Sequence, residues 1–465
     1  MFAPDLYIAR RETLRKSVGS GIILLNGNEE SPMNYADNPY PFRQDSTFLY
    51  FFGLNGPGLT GILDCDRGED WVFGNDLTVE DFVWMGPQPS LAEQSLRAGV
   101  KKTGTRLDLD AALDRAQAQG RTIHFLPPYR AENKLKLMGW LGLPAAALGA
   151  KASLALTRAV AEQRNHKGPE EIAEIRQAVD LSVDMHRTAM RLARPGVREA
   201  EIAAAVQSVA EAAGGRIAFP IIATINGQTL HIHSHANTLP SGRMFLLDIG
   251  AETALGYAGD LSSTMPIDPR FTPRQKDLYE LVLASHNRAI EMLRPGIPFK
   301  EVYLESARVI VRGLQALGLM KGDVAEAVDQ GAHALFFPCG LGHLMGLDVH
   351  DMEDLGEVQV GWAGNPKPTQ FGIKSLRLGR KLEPGFVLTI EPGIYFIPEL
   401  IDQWRGKKLH DDFINFEKVE AYKGFGGIRN EENFLITETG FERLGQPKPM
   451  SVAEVEAEHA KTLPL

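Results

Sequence analysis

Five residues between positions 248 and 431 have the types and settings of a metal site. They are Asp248 in LLDIG, Asp260 in YAGDLSSTMP, His343 in GLGHLMGLDVHD, Glu391 in LTIEPGIYF and Glu431 in IRNEENFLIT. Four carboxylates and one imidazole form a hard, oxygen-rich donor set. It suits two divalent ions such as Mn²⁺, Co²⁺ or Zn²⁺ that share bridging carboxylates. Two such ions about 3.5–4 Å apart activate water and clamp both ends of a displacement, so hydrolysis is the chemistry expected. Taken singly, most of these residues have ordinary explanations. DIG and GYAGD read as polar turn ends, and one histidine in a Gly-rich stretch reads as structural. Glu391 resists such a reading, because an unpaired carboxylate inside an apolar strand costs several kcal/mol. It needs a cation.

The elements around these residues account for how they could meet. Asp248 follows the apolar run Met244 to Leu247 and is expected on a strand. Asp260 comes after Gly256 and Gly259, so a hairpin would put both aspartates on one side of neighbouring strands. His350 follows His343 closely enough for a strand and turn to aim both rings at one cleft. A long helix is expected from Pro169, with Pro at its start and Glu170 and Glu171 in its first turn. Its apolar stripe is Ile172, Ile175, Val179, Val183 and Met190, and His186 on that stripe reads as a core histidine. LARPGVREAEIAAAVQ (192–207) then resembles MLRPGIPFKEVYLESA (292–307). Each copy reads as helix, Arg-Pro-Gly turn, helix, followed by strand-like sequence that delivers acids. Two similar halves about a pseudo-twofold axis would bring distant carboxylates together.

Upstream, GIILL (21–25), FLYFFGL (48–54) and GILDC (61–65) read as buried strands, and 90–119 as helices. That alternation predicts an α/β domain. Residues 157–169 are polar and of mixed charge, and read as a linker. A chain of 465 residues is too long for one core. Its net charge of −10, with signs interspersed, argues against a nucleic-acid partner. Its apolar runs are strand-length, too short to span a membrane, and MFAPDLYIARRETLRKS carries charge where a signal peptide needs apolar residues. Cys65 and Cys339 offer neither a disulfide framework nor metal-type spacing, and Cys339 reads as a buried free thiol. A cytoplasmic enzyme is expected.

The ordered set LLDIG, YAGD…TMP, GLGHLMGLDVHD, TIEPGIYF and IRNEENFLITETG resembles the pita-bread metallopeptidase family, to which aminopeptidase P, prolidase and methionine aminopeptidase belong. NPYPFRQDSTFLYFFGLNGPG (38–58) is similar to the opening domain of the aminopeptidase P and prolidase branch, which methionine aminopeptidases lack. YPFRQDS leans toward aminopeptidase P. The fold implied is mixed α/β (α+β): an N-terminal α/β, creatinase-like domain over 1–160, then a pseudo-twofold pita-bread metallohydrolase domain over 168–465. The resemblance implies that Asp248 chelates one metal, that Asp260 and Glu431 bridge two, and that His343 and Glu391 complete the second. Glu391 would also accept a proton from the attacking water. His233 would match the family's H-x-x-x-N histidine through its spacing to Asn237, ahead of His231 and His235, and would help move protons near the scissile bond, while His350 would contact the substrate near the proline side and share in catalysis. Arg429 and Tyr395 would support the carboxylates and the tetrahedral intermediate. Trp84 resembles an aromatic offered to substrate, with a core role as the competing reading.

The activity implied is hydrolysis of the N-terminal Xaa-Pro bond of peptides, with two divalent ions, most simply Mn²⁺, in a homo-oligomer, dimer or tetramer. The rivals are prolidase, restricted to dipeptides, and a non-catalytic peptide-binding module on the same fold. A dinuclear phosphodiesterase is weaker still, since no Gly-rich phosphate cradle or Arg cluster occurs. The chain departs from the simplest family pattern in three places. Asp248 and Asp260 stand one residue further apart than is common, which predicts a bulge in the hairpin. Insertions at 353–381 and 396–423 follow motifs that line the site and are expected to reshape the substrate pocket.

Overall fold

The computed structural model describes residues 1–463, which form two compact units. One comprises Met1–Arg164 and Met352–Val360; the other runs through Asn165–Asp351 and resumes at Gly361. The first is built on a five-stranded sheet. Its order is Lys102–Gly104, Glu69–Phe73, Thr60–Asp64, Ile22–Asn26 and Ile123–His124, with parallel pairs at both edges and antiparallel pairs between. Ile22, Leu24, Ile62 and Phe73 pack against Leu109 and Leu113 of helix Arg106–Ala118 and Leu137 of helix Ala131–Leu141.

Three sequence expectations are corrected in this unit. FLYFFGL is helix, spanning Ser46–Phe52, not strand. Asp45 caps it by accepting the Phe48 N–H, and Gly53 ends it in the left-handed region at φ 63°. The segment is apolar all round because it is buried all round, and such a run shows no period that separates helix from strand. Its caps were the usable signal. The stretch 90–119 holds helices Leu91–Arg97 and Arg106–Ala118, but with the short strand Lys102–Gly104 between them. The supposed linker is largely helix Leu154–Asn165, with Leu156, Val160 and Ala161 buried.

The second unit carries the repeat. Helices Pro169–Leu192 and Glu199–Ala212 flank one Arg-Pro-Gly turn; Pro273–Glu291 and Phe299–Ala316 flank the other. Both turn glycines need positive φ, 92° at Gly196 and 83° at Gly296. The turns bond alike. Gly196 N–H donates to Leu239 and Gly296 N–H to Leu382; Leu239 donates back to Val197 and Leu382 to Ile297. Glu199 donates to Asn237 where Phe299 donates to Arg380. In each half a strand begins at the same distance beyond, Met244–Ile249 in the first and Val387–Ile390 in the second. Asp248 and Glu391 are therefore equivalent positions. Among the described residues the unit's strands form two three-stranded sheets, one centred on Met244–Ile249 and one on Glu432–Ile436, and two two-stranded ones, Gly393–Tyr395 with Gly427–Arg429 and Arg216–Ile217 with Ala251–Glu252. His186 is buried behind the first, its Nδ1 2.8 Å from Ser263 Oγ, in the structural role expected of it. No helix among the described residues is long and apolar enough to cross a membrane.

Candidate metal centre

Asp248 and Asp260 meet through an antiparallel pair. Strand Met244–Ile249 aligns with Leu261–Pro266, Ile249 opposite Leu261, and the same register holds beyond, where Glu252 bridges Ala258. No residue is inserted between those points, so the expected bulge is absent. The turn 253–257 absorbs the extra length, closed by the Thr253 N–H to Tyr257 and eased by Gly256 at φ 89°. Gly250 in LLDIG is required for a different reason: a Cβ there would stand 1.7 Å from the Gly259 carbonyl oxygen. Asp260 leaves the ladder, and the Asn433 side chain bonds its N–H and its carbonyl at 3.1 and 2.6 Å. Asn433 lies in strand Glu432–Ile436, so it ties Asp260 to the strand that Glu431 precedes.

His343, Glu391 and Glu431 converge on the same point. His343 Nε2 is 3.3 Å from Asp260 Oδ2 and 3.7 Å from Glu391 Oε1. Its Nδ1 lies 3.1 Å from the Leu344 carbonyl, which can only accept, so Nε2 carries the free lone pair in the neutral ring. Asp260, His343 and Glu431 are all buried, with ligand atoms within 4.8 Å of one another. Ser262 Oγ donates to Glu431 Oε2 at 2.9 Å, while Asp260 Oδ1 and Glu431 Oε1 are buried with no hydrogen-bond partner among the described residues. Such atoms are costly unless something binds them. Burial holds the Asp260 and Glu431 carboxyls well above the usual range, reinforced by the neighbouring carboxylates. Burial also pushes Glu391 up to about 7. Divalent cations fit this donor set: they would bind the orphaned oxygens and relieve the repulsion. Arg429 is a buried cation beside them, donating to Asp248 Oδ2 at 2.5 Å, Tyr395 Oη at 2.9 Å and Ser262 Oγ at 3.0 Å.

A testable consequence concerns the metal-free protein. A carboxyl with a raised folded-state pKa stabilises the fold while protonated. For Glu391 that contribution is complete below about pH 4.5 and is lost as pH rises through about 7. Cations act in the opposite sense, since they bind the ionised ligands. The rise in Tm when Mn²⁺ is added to chelator-stripped protein is expected to be larger at about pH 8 than at about pH 5. Scanning calorimetry in metal-free buffers measures it. An equal rise at both pH values would show that cations do not bind these carboxylates.

The side chains of Asp248, Asp260, His343, Glu391 and Glu431, together with His233, His350 and Arg429, line one cavity of about 800 Å³. The His343 and His350 rings are 4.3 Å apart, as the common cleft required. Tyr395 lies behind Arg429, fully buried. Of the three clustered histidines, both His231 and His233 reach the cavity. His231 senses Arg429, Asp248, Arg377 and His350, and partial burial together with the Arg429 charge holds its pKa below the usual value. His235 instead bonds the Ile221 carbonyl at 3.0 Å. Both insertions reach the site: Phe371, Ser375 and Arg377 line it from the first, and Ile397, Glu399 and Gln403 from the second. Cys339 also lines it, its thiol pushed up to about 12 by burial. Trp84 lies in the last turn of helix Val79–Met85 of the N-terminal unit and is 80 % exposed, which removes the core role weighed for it. Ser262, Asn433 and Arg377 went unrecognised in the sequence, because each acts through a partner distant along the chain.

Residues 173–438 match the model of metallopeptidase family M24, and residues 7–124 that of the aminopeptidase P N-terminal domain. The chain is 31% identical to Escherichia coli Xaa-Pro aminopeptidase, covering 96% of each. It is 30% identical to human Xaa-Pro dipeptidase, covering 96% of this chain and 90% of that protein. Among solved structures it resembles proline aminopeptidase P II from Yersinia pestis, with TM-score 0.80, 28% identity and coverage of 99% and 100%. Pseudomonas aeruginosa aminopeptidase PepP gives TM-score 0.81 at 27% identity, with coverage of 99% and 98%. The two-part mixed α/β fold, with a pita-bread second domain, is that of these enzymes.

Proposed function

The chain belongs to metallopeptidase family M24, and from that premise we propose a dinuclear aminopeptidase that releases the first residue of peptides whose second residue is proline. The observation that carries the reading is the set of five ligand side chains on one cavity, with buried Asp260 and Glu431 oxygens left unbonded. The aminopeptidase P N-terminal domain supports proline at the second position. Asp248 would hold one ion, Asp260 and Glu431 both, and His343 and Glu391 the second. Mn²⁺ suits so oxygen-rich a set. When bound, two divalent ions supply an activated water and polarise the scissile carbonyl.

The protein's own groups do the rest. Glu391, on the cavity wall beside His343, would accept a proton from the attacking water. Arg429, braced by Tyr395 and Asp248, places positive charge where the ligand carboxylates need it. His231, His233 and His350 line the cavity as groups that bind the substrate and move its protons. Of the clustered three we give the proton-handling role to His231, which senses Asp248, Arg429 and His350. Substrate contact by Trp84 stays part of the proposal. So do a cytoplasmic location, in keeping with two free cysteines, and a homodimer or homotetramer.

One observation favours a second reading. Arg377 lines the cavity from the first insertion, and a guanidinium matches a carboxylate in charge and shape. If it met the terminal carboxylate of a dipeptide, the enzyme would be a prolidase. Assays with Mn²⁺ on Xaa-Pro-Xaa, Xaa-Ala-Xaa and Xaa-Pro separate the two. We expect turnover of the tripeptide and longer peptides. Alanine for proline should lower kcat/KM about 10–200-fold, through lost contacts to the ring, and blocking the α-amine should stop cleavage. Turnover of the dipeptide alone, with a KM raised by Arg377→Gln, establishes the prolidase reading instead. Equal rates on proline and alanine peptides remove the proline claim.

A further inference from the structure

Glu199 is a fully buried carboxylate in the first turn of helix Glu199–Ala212, away from the ligand set. It accepts four hydrogen bonds. Ile225 N–H donates to Oε1 at 2.8 Å and Asn237 N–H to Oε2 at 3.1 Å. The Asn237 side-chain amide lies 3.1 Å from Oε1 and 3.0 Å from Oε2. One carboxylate therefore joins the two ends of the segment 225–237. Between those ends stand His231 and His233, which line the cavity, and His235, which pins the segment to the Ile221 carbonyl. Arg243 adds a second tie at the neck, to the Ile225 carbonyl at 2.8 Å.

The internal repeat fills the corresponding position differently. The equivalent of Glu199 in the second half is Phe299, which makes the same backbone bond and is fully buried. A buried carboxylate at Glu199, unlike an apolar ring, is costly unless its hydrogen bonds are made.

We propose that Glu199 is a positioning residue for the reaction: it clamps the ends of the 225–237 segment and so fixes His231 and His233 at the cavity. The proposal rests on the role given above to those histidines. A carboxylate suits this task better than an amide, because all its contacts are donors. Glu199→Gln would turn one oxygen into an N–H₂ group facing them.

The test is a cycle of variants on an Xaa-Pro-Xaa peptide, with bound metal measured by elemental analysis. Glu199→Gln should lower kcat/KM about 10–100-fold, the scale of a misplaced catalytic group, with metal per chain unchanged. In a His231→Ala/His233→Ala background the same change should alter the residual rate less than about twofold. An equal loss in both backgrounds, or loss of metal, overturns the proposal, since the acid would then act on the fold or the metal site. A double histidine variant with wild-type activity would instead overturn the histidine role, and with it this inference. Should Glu199→Gln not fold, Asn237→Ala keeps the backbone bonds, removes two contacts and is read by the same cycle, with a loss of about 3–10-fold expected.

Discussion

Asp260→Asn and Glu431→Gln are each expected to lower turnover by more than about a thousandfold while leaving the fold intact. Both carboxylates are buried beside His343 and one another, and each has an oxygen with no hydrogen-bond partner among the described residues. If they bridge two ions, the neutral amide removes a charge shared by both. The fold should survive, because burial already favours the neutral form of each group. The amides mimic that form in size, and in Glu431→Gln the new amide oxygen can keep accepting from Ser262 Oγ, as Glu431 Oε2 does. Without metal, the variants should melt no lower than wild type at about pH 8, where the wild-type carboxylates repel. The measurements are kcat, metal per chain and Tm. A variant that kept more than about a tenth of wild-type turnover with two ions bound would exclude bridging. A tenfold loss is only about 1.4 kcal/mol, too little for a ligand shared by two cations.

These positions were legible in the sequence for a physical reason. A carboxylate in an apolar strand is anomalous, and Glu391 in LTIEPG announces that a cation is needed. The repeat was legible because each Pro-Gly turn demands a glycine with positive φ, at Gly196 and Gly296. What stayed hidden was of two kinds. The Phe48–Phe52 segment is buried on nearly every side, so its pattern carries no period, and only Asp45 and Gly53 marked it as helix. Arg377, Ser262, Asn433 and Glu199 take their meaning from partners far along the chain. Ser262 becomes notable only because its hydroxyl donates to Glu431 and accepts from Arg429. The extra residue between Asp248 and Asp260 was noticed, but its place in the turn, not the ladder, depended on which backbone groups pair.

Replacing His231 by Ala is expected to lower kcat about 10²–10⁴-fold with metal content unchanged, the range for a general acid–base group. Spacing to Asn237 points to His233 instead, and both rings reach the cavity. His231 senses Asp248, Arg429, Arg377 and His350 together, which places it among the charged groups of the site. Burial and the Arg429 charge favour its neutral ring, which can donate through one nitrogen and accept through the other near neutral pH. His233→Ala should cost less, by loss of a substrate contact. His235→Ala should act through the fold, because its ring holds the Ile221 carbonyl at 3.0 Å. Its loss should lower Tm more than kcat. Comparing kcat, Tm and metal content across the three variants decides the order. The largest kcat loss at His233 would return the role to the residue that the spacing selects. A loss of metal in His231→Ala would mean that the ring serves the ions and not the substrate.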